Sequence, residues 1–333
     1  MITPSTLLPW QQADWQRLRA YIDQQRVPQA VLFTGNKGLG KQQLAHLLIQ
    51  ALLCDSPKAD GLACGQCSRC LLLKAGSHPD FLNISPEAES KAISVNQIRG
   101  LIDKLSLKPQ FEGYRVVLIN PADALNNNSV NAFLKCLEEP AERSVIVLVS
   151  ERPRTLPATL LSRCQQLPLA TPNRQVASTW LQQQQPQLTT ADSQVLLNLA
   201  QNAPLLALEF AHEGILDLRA TCFAEWEAIA MHKKHPVLVA ENWQKLPEQT
   251  VLFWLTSWVS DMIQWCYLDK PPRLYNQDLN KPLHDMAKRI ELKGIYRLYD
   301  LLLASRQRIG TTINKQCLFE EILINWFQLN QSH

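Results

Sequence analysis

Residues 35–41, Gly35-Asn36-Lys37-Gly38-Leu39-Gly40-Lys41, have the spacing of a phosphate-binding loop. In the pattern G-x-x-x-x-G-K-[ST] the backbone N–H groups cradle phosphate, the lysine reaches the terminal phosphates and the final hydroxyl holds magnesium. Gly35, Gly40 and Lys41 fit that pattern, but Gln42 stands at the hydroxyl position. A second group is the run "CDSPKADGLACGQCSRC", which brings Cys54, Cys64, Cys67 and Cys70 close together in sequence, with two-residue gaps inside the last three. Thiolates paired in this way, with a fourth within reach, suit tetrahedral zinc. An iron–sulfur site would want a further cysteine soon after Cys70, where "LLLKAGSHPD" follows instead. A thioredoxin-like pair would leave two thiols unexplained, and free thiols are the remaining alternative. Four protein ligands leave no open position for water, so such a metal would hold the insertion together and would not catalyse.

These groups need a frame, and the apolar pattern supplies one. Short β-branched runs recur at "AVLFTG", "DFLNIS", "RVVLIN", "SVIVLVS" and "CQQLPLA", with helical patterns such as "KQQLAHLLIQALL", "VNQIRGLIDKL" and "SVNAFLKCLEE" between them. Nearly all-apolar strands alternating with helices predict an α/β fold with a parallel sheet covered on both faces. After Pro172 the strands stop, and short helices flank a Gln-rich stretch. From about Ile215 onward the patterns are longer and helical, including "TVLFWLTSWVSDMIQWCYL" and "CLFEEILINWFQL". Trp254, Trp258 and Trp265, spaced by four and seven, predict a packed helix face.

The composition, 46% hydrophobic and 19% charged with a net charge of +3, is that of an ordinary globular protein without a nucleic-acid-coating tail. No basic start with an apolar core opens the chain, and no apolar stretch reaches the roughly eighteen residues of a membrane span. A cytoplasmic location is expected, with no membrane partner. Cys136, Cys222, Cys266 and Cys317 are expected to be lone buried thiols.

Taken together, the P-loop, the four-cysteine insertion behind it, "SHPDFLNI", "YRVVLINPADAL", "SVNAFLKCLEEP" and "LPATLLSRCQQL" resemble the bacterial clamp-loader AAA+ subunits of DNA polymerase III. The resemblance is strong over residues 15–170, and the helical remainder agrees in layout. It implies an AAA+ P-loop domain at 1–169 with a zinc insertion at 54–70, a small helical lid domain at 170–213 and an all-helical collar domain at 214–333. The family has two versions with this insertion. The gamma/tau version keeps an intact ATP site, and the delta-prime version has a decayed one.

Three positions resemble the decayed version. Gln42 offers no magnesium-binding hydroxyl. Asn120 and Pro121 stand where an active strand end would carry the magnesium-binding and water-orienting carboxylates. Leu205 stands in "AQNAPLLALEF" where a sensor arginine would meet the γ-phosphate. Lys41 and the loop N–H groups could still bind phosphate weakly. The implied role is a stator that hydrolyses nothing, assembled with gamma/tau and delta, which together load a sliding clamp onto primed DNA. The alternative is an ATP-hydrolysing gamma/tau-like subunit. A free-standing zinc-dependent nucleic-acid binder is disfavoured, because seventeen residues close only a small knuckle.

Arg163, within Ser162-Arg163-Cys164, precedes the last apolar strand, and the sequence from Leu156 to Leu169 contains no acid to pair with it. A solvated surface arginine is one reading. The resemblance implies another, an arginine finger acting in trans on ATP at the neighbouring subunit. A DNA contact is the last expectation: Ser94 and Gln97 have capping-box spacing, which opens a helix N-terminus to phosphate with Arg99 in its first turns.

Overall fold

The apolar runs of the first half form five strands in one parallel sheet: β1 (Ala30–Thr34), β2 (Phe81–Ile84), β3 (Arg115–Ile119), β4 (Ser144–Ser150) and β5 (Gln165–Pro168). The structure, a computed structural model, describes residues 6–87, 90–139, 141–271, 274–309 and 314–331. The strand order is β2-β3-β4-β1-β5. The register aligns Leu32 with Leu148 and with Gln166, and Val117 with Ile146. Every residue of β1, β3 and β4 is buried, whereas the edge strands β2 and β5 are only partly so. That difference explains why the central runs are apolar throughout and β5 reads Gln-Gln-Leu-Pro.

Side chains alternate across the sheet and build two cores. Val31, Phe33, Val116, Val145 and Val147 face α1 (Gln12–Asp23) and α2 (Lys41–Leu53), through Trp15, Leu18, Leu44 and Leu48. After α2 comes α3 (Ser68–Ala75), which adds Leu73 to that side. Leu32, Val117, Ile146 and Leu148 face α4 (Val95–Leu105), α5 (Asn127–Glu138) and α6 (Ala158–Leu161), through Ile98, Leu101, Phe133 and Leu160. Two faces covered by helices is the arrangement expected of an AAA+ P-loop domain, and the α/β prediction holds.

One buried ion pair ties this layer to the four-cysteine insertion. Asp80, just ahead of β2, is fully buried and accepts N–H bonds from Gln110 and Phe111 at 2.9 Å each and from the Arg115 guanidinium at 3.0 Å. Burial alone would raise the Asp80 carboxyl; the N–H donors and Arg115 outweigh it and hold it below the usual carboxylate range. Arg115 also donates to the carbonyls of Lys104, Leu107 and Lys108, which closes the C-terminal end of α4.

The chain divides into two compact units, Met1–Trp180 with Ala203–Leu206, and Leu181–Asn202 with Ala207–His333. The later helices are α7 (Arg174–Gln184), α8 (Thr190–Leu199), α9 (Pro204–His212), α10 (Ile215–Ala230), α11 (Pro236–Trp243), α12 (Glu248–Tyr267), α13 (Asn280–Ala287), α14 (Leu292–Arg308) and α15 (Lys315–Leu329). The second unit's core is built on Trp226, Trp243, Trp254, Trp258 and Trp326, each 1% exposed or less. The rings of Trp226 and Trp326 stack at 4.1 Å, and the Trp326 indole donates to the Trp226 carbonyl at 2.9 Å. The tryptophan stripe on α12 is therefore packing: Trp254 and Trp258 lie in the core and Trp265 stacks on His284.

The expectation of lone buried thiols needs correction. Cys222 is buried, Cys136 is half-buried, and Cys266 and Cys317 are exposed. The last two sit in the terminal turns of α12 and α15, where the apolar face no longer turns the thiol inward. Among the described residues, no helix is long and apolar enough to cross a membrane.

Candidate functional site

The glycine loop leaves the C-terminal end of β1 and runs into α2, as the sequence pattern requires. Gly35, Gly38 and Gly40 take φ of +140°, +82° and +80°, values open to glycine and strained for other residues. The chain itself holds this loop. Trp10 and Gln11 donate side-chain N–H groups to the Leu39 carbonyl at 3.0 and 3.1 Å, and Gln11 also reaches the Gly40 carbonyl at 2.8 Å. Leu205, in the first turn of α9, donates its N–H to the Gly38 carbonyl at 3.1 Å. A Cβ at Gly38 would lie 2.5 Å from Leu206, and one at Gly40 would lie 2.6 Å from Gln11 and Leu8.

Lys41 is only 4% exposed. Its ammonium donates to the Asn36 carbonyl at 2.7 Å and lies 3.8 Å from Glu151. Burial pulls its pKa below the ordinary lysine value, against the opposing pull of Glu151 and Asp123. A cavity of about 500 Å³ opens here, lined among others by Lys37, Lys41, Gln42, His46, Asn120, Glu151 and Leu205. Asn120 and Pro121 thus face the place where magnesium-binding acids would be needed. Asp123, the next carboxylate after β3, bonds instead to the Ser150 hydroxyl and the Glu151 and Arg152 N–H groups, tying down the end of β4.

Arg163 lies at the other edge of the sheet. It follows α6 and precedes β5, whose first residue, Gln165, pairs with Val31 near the start of β1. The four residues of β5 span about 13 Å, so the chain's own P-loop is a sheet length away. Arg163 and Ser162 are exposed, and Cys164 is buried, its thiol pushed up to about 11 by that burial. The local sequence contains no acid for Arg163, but Glu138, 25 residues earlier at the end of α5, pairs with it at 2.6 Å. Only the tertiary fold could reveal that partner. Pro140, the last residue of the quoted motif "NAFLKCLEEP", lies outside the described residues.

The four cysteines come together. Their sulfur atoms all lie within 4.8 Å of one another, with Cys54 and Cys64 3.6 Å apart and Cys64 and Cys70 3.9 Å apart. Tetrahedral ligation at Zn–S of 2.3 Å places sulfurs about 3.8 Å apart, so the cluster could hold a metal such as zinc. Two helix ends present the thiols: Cys54 ends α2, and Cys67 caps α3 by accepting the Cys70 N–H. Further N–H groups, from Gln66 and Cys67, point at the Cys64 sulfur and bring its thiol down to about 6. The nine residues between Cys54 and Cys64 are closed by a turn at Lys58–Leu62 and fixed to α1 by Trp15, whose indole donates to the Asp60 carbonyl. Arg69, between two ligands, pairs with Asp55 at 2.8 Å and lies 4.8 Å over Phe111, which links the insertion to Asp80.

Ser94 caps α4 as its spacing predicts: its hydroxyl accepts the Gln97 N–H, and Gln97 returns to the Ser94 N–H at 2.9 Å. Arg99 is exposed on the same helix.

Residues 10–173 match the family model described as DNA polymerase III, delta subunit, and residues 213–328 match DNA polymerase III, delta subunit, C terminal. The DNA polymerase III subunit delta' of Pseudomonas aeruginosa is 31% identical over 325 residues, which cover 97% of this chain and 98% of that protein. The chain belongs to the DNA polymerase III delta-prime family. The delta-prime subunit of Escherichia coli is 28% identical over 95% of this chain and 94% of that one. The Escherichia coli tau subunit is 35% identical, but over 144 residues that cover 43% of this chain and 22% of that protein. The delta-prime likeness therefore runs over nearly the whole chain, and the tau likeness over less than half of it.

The geometry of the loop makes a prediction independent of nucleotide. Gly38→Ala should destabilise the nucleotide-free protein by about 2–5 kcal/mol, about 1–3 from overpacking against Leu206 and about 1–2 from the left-handed backbone. Gly76→Ala, with a similar φ but open space around it, should cost only about 1–2 kcal/mol. Denaturant unfolding of both variants checks this, and a Gly38→Ala midpoint no lower than that of Gly76→Ala would contradict it.

Proposed function

We propose that the chain is the delta-prime stator of a clamp loader, which joins gamma/tau and delta subunits in placing a sliding clamp on primed DNA. In this reading it hydrolyses no ATP itself and lends Arg163 to ATP bound at the neighbouring subunit. What supports it most is the position of Arg163, exposed and a sheet length from its own P-loop, a placement that suits a nucleotide held by another chain. The loop's side of the reading rests on Gln42, Asn120, Pro121 and Leu205, which offer neither magnesium ligands nor a sensor charge. Gly35, Gly40 and Lys41 then serve as a fold element with weak or no nucleotide. Ser162 and Cys164 set the finger in its turn, and Ser94 and Arg99 are assigned to a phosphate of the DNA backbone in the assembled complex.

The metal we assign to Cys54, Cys64, Cys67 and Cys70 is Zn²⁺ in a structural role. Four thiolates complete its tetrahedron, and the N–H groups directed at the Cys54, Cys64 and Cys67 sulfurs favour those ligands' thiolate form. Burial raises the Cys54 and Cys70 thiols and leaves the metal's charge to hold them deprotonated. Protein purified without chelator should contain close to one zinc per chain, lost together with thermal stability on treatment with a strong chelator. Less than about half an equivalent by elemental analysis would count against the site.

Arg163→Ala should leave folding and assembly intact and lower clamp- and DNA-stimulated ATP hydrolysis at the one neighbouring site by about a thousandfold or more, the usual worth of an arginine supplied in trans. Arg163→Lys should rescue poorly, because an ammonium cannot reproduce the planar fork. Wild-type ATPase and clamp-loading rates in a complex assembled with Arg163→Ala would sink the assignment.

A further inference from the structure

The Arg163 guanidinium is held at two nitrogens by two different elements. Its Nη1 donates to the Thr159 carbonyl in α6 at 2.8 Å, and its Nη2 donates to Glu138 Oε1 at the end of α5 at 2.6 Å. A planar group fixed at two points has its plane and position set, yet arginine has five N–H donors, so most of the fork stays available. The acid is in an odd place for helix stability. Glu138 is the last residue of α5 and Glu139 its cap, and carboxylates at a helix C-terminus meet the negative end of the dipole. Glu138 is also 51% exposed and Arg163 34%, and a pair so open to water contributes little to folding. Neither helix stability nor domain stability accounts for the carboxylate. Orientation of the arginine does.

We propose that Glu138 is a positioning residue for Arg163: its carboxylate, together with the Thr159 carbonyl, fixes the guanidinium in the geometry in which its remaining N–H groups meet the neighbouring subunit's transferring phosphoryl group. The inference rests on the trans-acting reading of Arg163. Pre-organisation of this kind acts on the chemical step, because a charged group misplaced by about an ångström loses most of its effect on the transition state while substrate binding is little changed. An oxygen acceptor is the essential feature, and the negative charge is secondary.

The test is single-turnover ATP hydrolysis by the complex reconstituted from this chain with gamma/tau- and delta-type subunits, clamp and primed DNA. Glu138→Ala should slow hydrolysis at the site facing this subunit about tenfold, with the KM for ATP within about twofold of wild type. Glu138→Gln, which keeps Oε1 as an acceptor, should recover most of that loss. In an Arg163→Ala background, Glu138→Ala should add nothing further. The thermal midpoint of the isolated Glu138→Ala chain should stay within about 2 °C of wild type. If Arg163→Ala is slow but Glu138→Ala runs at the wild-type rate or faster, the positioning role is overturned and the trans-acting reading stands. If Arg163→Ala itself has no effect, the trans-acting reading falls, and the role of Glu138 with it.

Discussion

A glycine loop at the end of a buried strand leaves carbonyls and tight backbone contacts that something must satisfy, and in this chain two other segments and the loop's own lysine do so. Trp10 and Gln11 take the Leu39 and Gly40 carbonyls, Leu205 donates to Gly38, and Lys41 turns its ammonium to Asn36 and Glu151. Gly38 and Gly40 are packed so closely that no larger residue fits without movement. The loop thus joins the N-terminal segment, the sheet and the start of α9, a structural role that needs no magnesium ligand. Packing alone gives the chain a reason to keep the loop.

The parallel sheet then separates two kinds of site by its direction. Loops leaving the C-terminal ends of β1 and β3 surround the cavity beside the glycine loop, whereas Arg163 enters β5 at its N-terminal end. Parallel register puts these at opposite ends of the strands, so Arg163 lies a sheet length from the chain's own loop. On the helix side, Asp80 and Arg115 close α4 and carry the contact through Phe111 to Arg69 and the cysteine cluster. The insertion is therefore anchored to the same sheet that places Arg163.

Local signals in the sequence were sufficient for much of this. The strands, the loop, the Ser94 capping box and the clustering of four cysteines depend on neighbours a few residues apart, and each lies where its pattern predicts. The pairing of Glu138 with Arg163 was not legible, because the acid comes from a different helix 25 positions earlier in the chain. The same holds for Gln11 beneath the P-loop and Asp80 beneath Arg115, polar residues whose partners lie 29 and 35 positions away. Cys266 and Cys317 escaped burial because helix ends break the apolar pattern that a thiol's composition-based expectation assumes. Families resembling one another through motifs also leave such pairs unseen, since a motif names residues and not their contacts.

The central claim is that the chain's chemistry is exerted on a nucleotide it does not hold in its own loop. Steady-state ATP hydrolysis by the purified chain, measured alone and with primed DNA, tests it most directly. A background rate is expected under both conditions, with magnesium present or absent. Magnesium-dependent turnover that disappears with Lys41→Ala would contradict it.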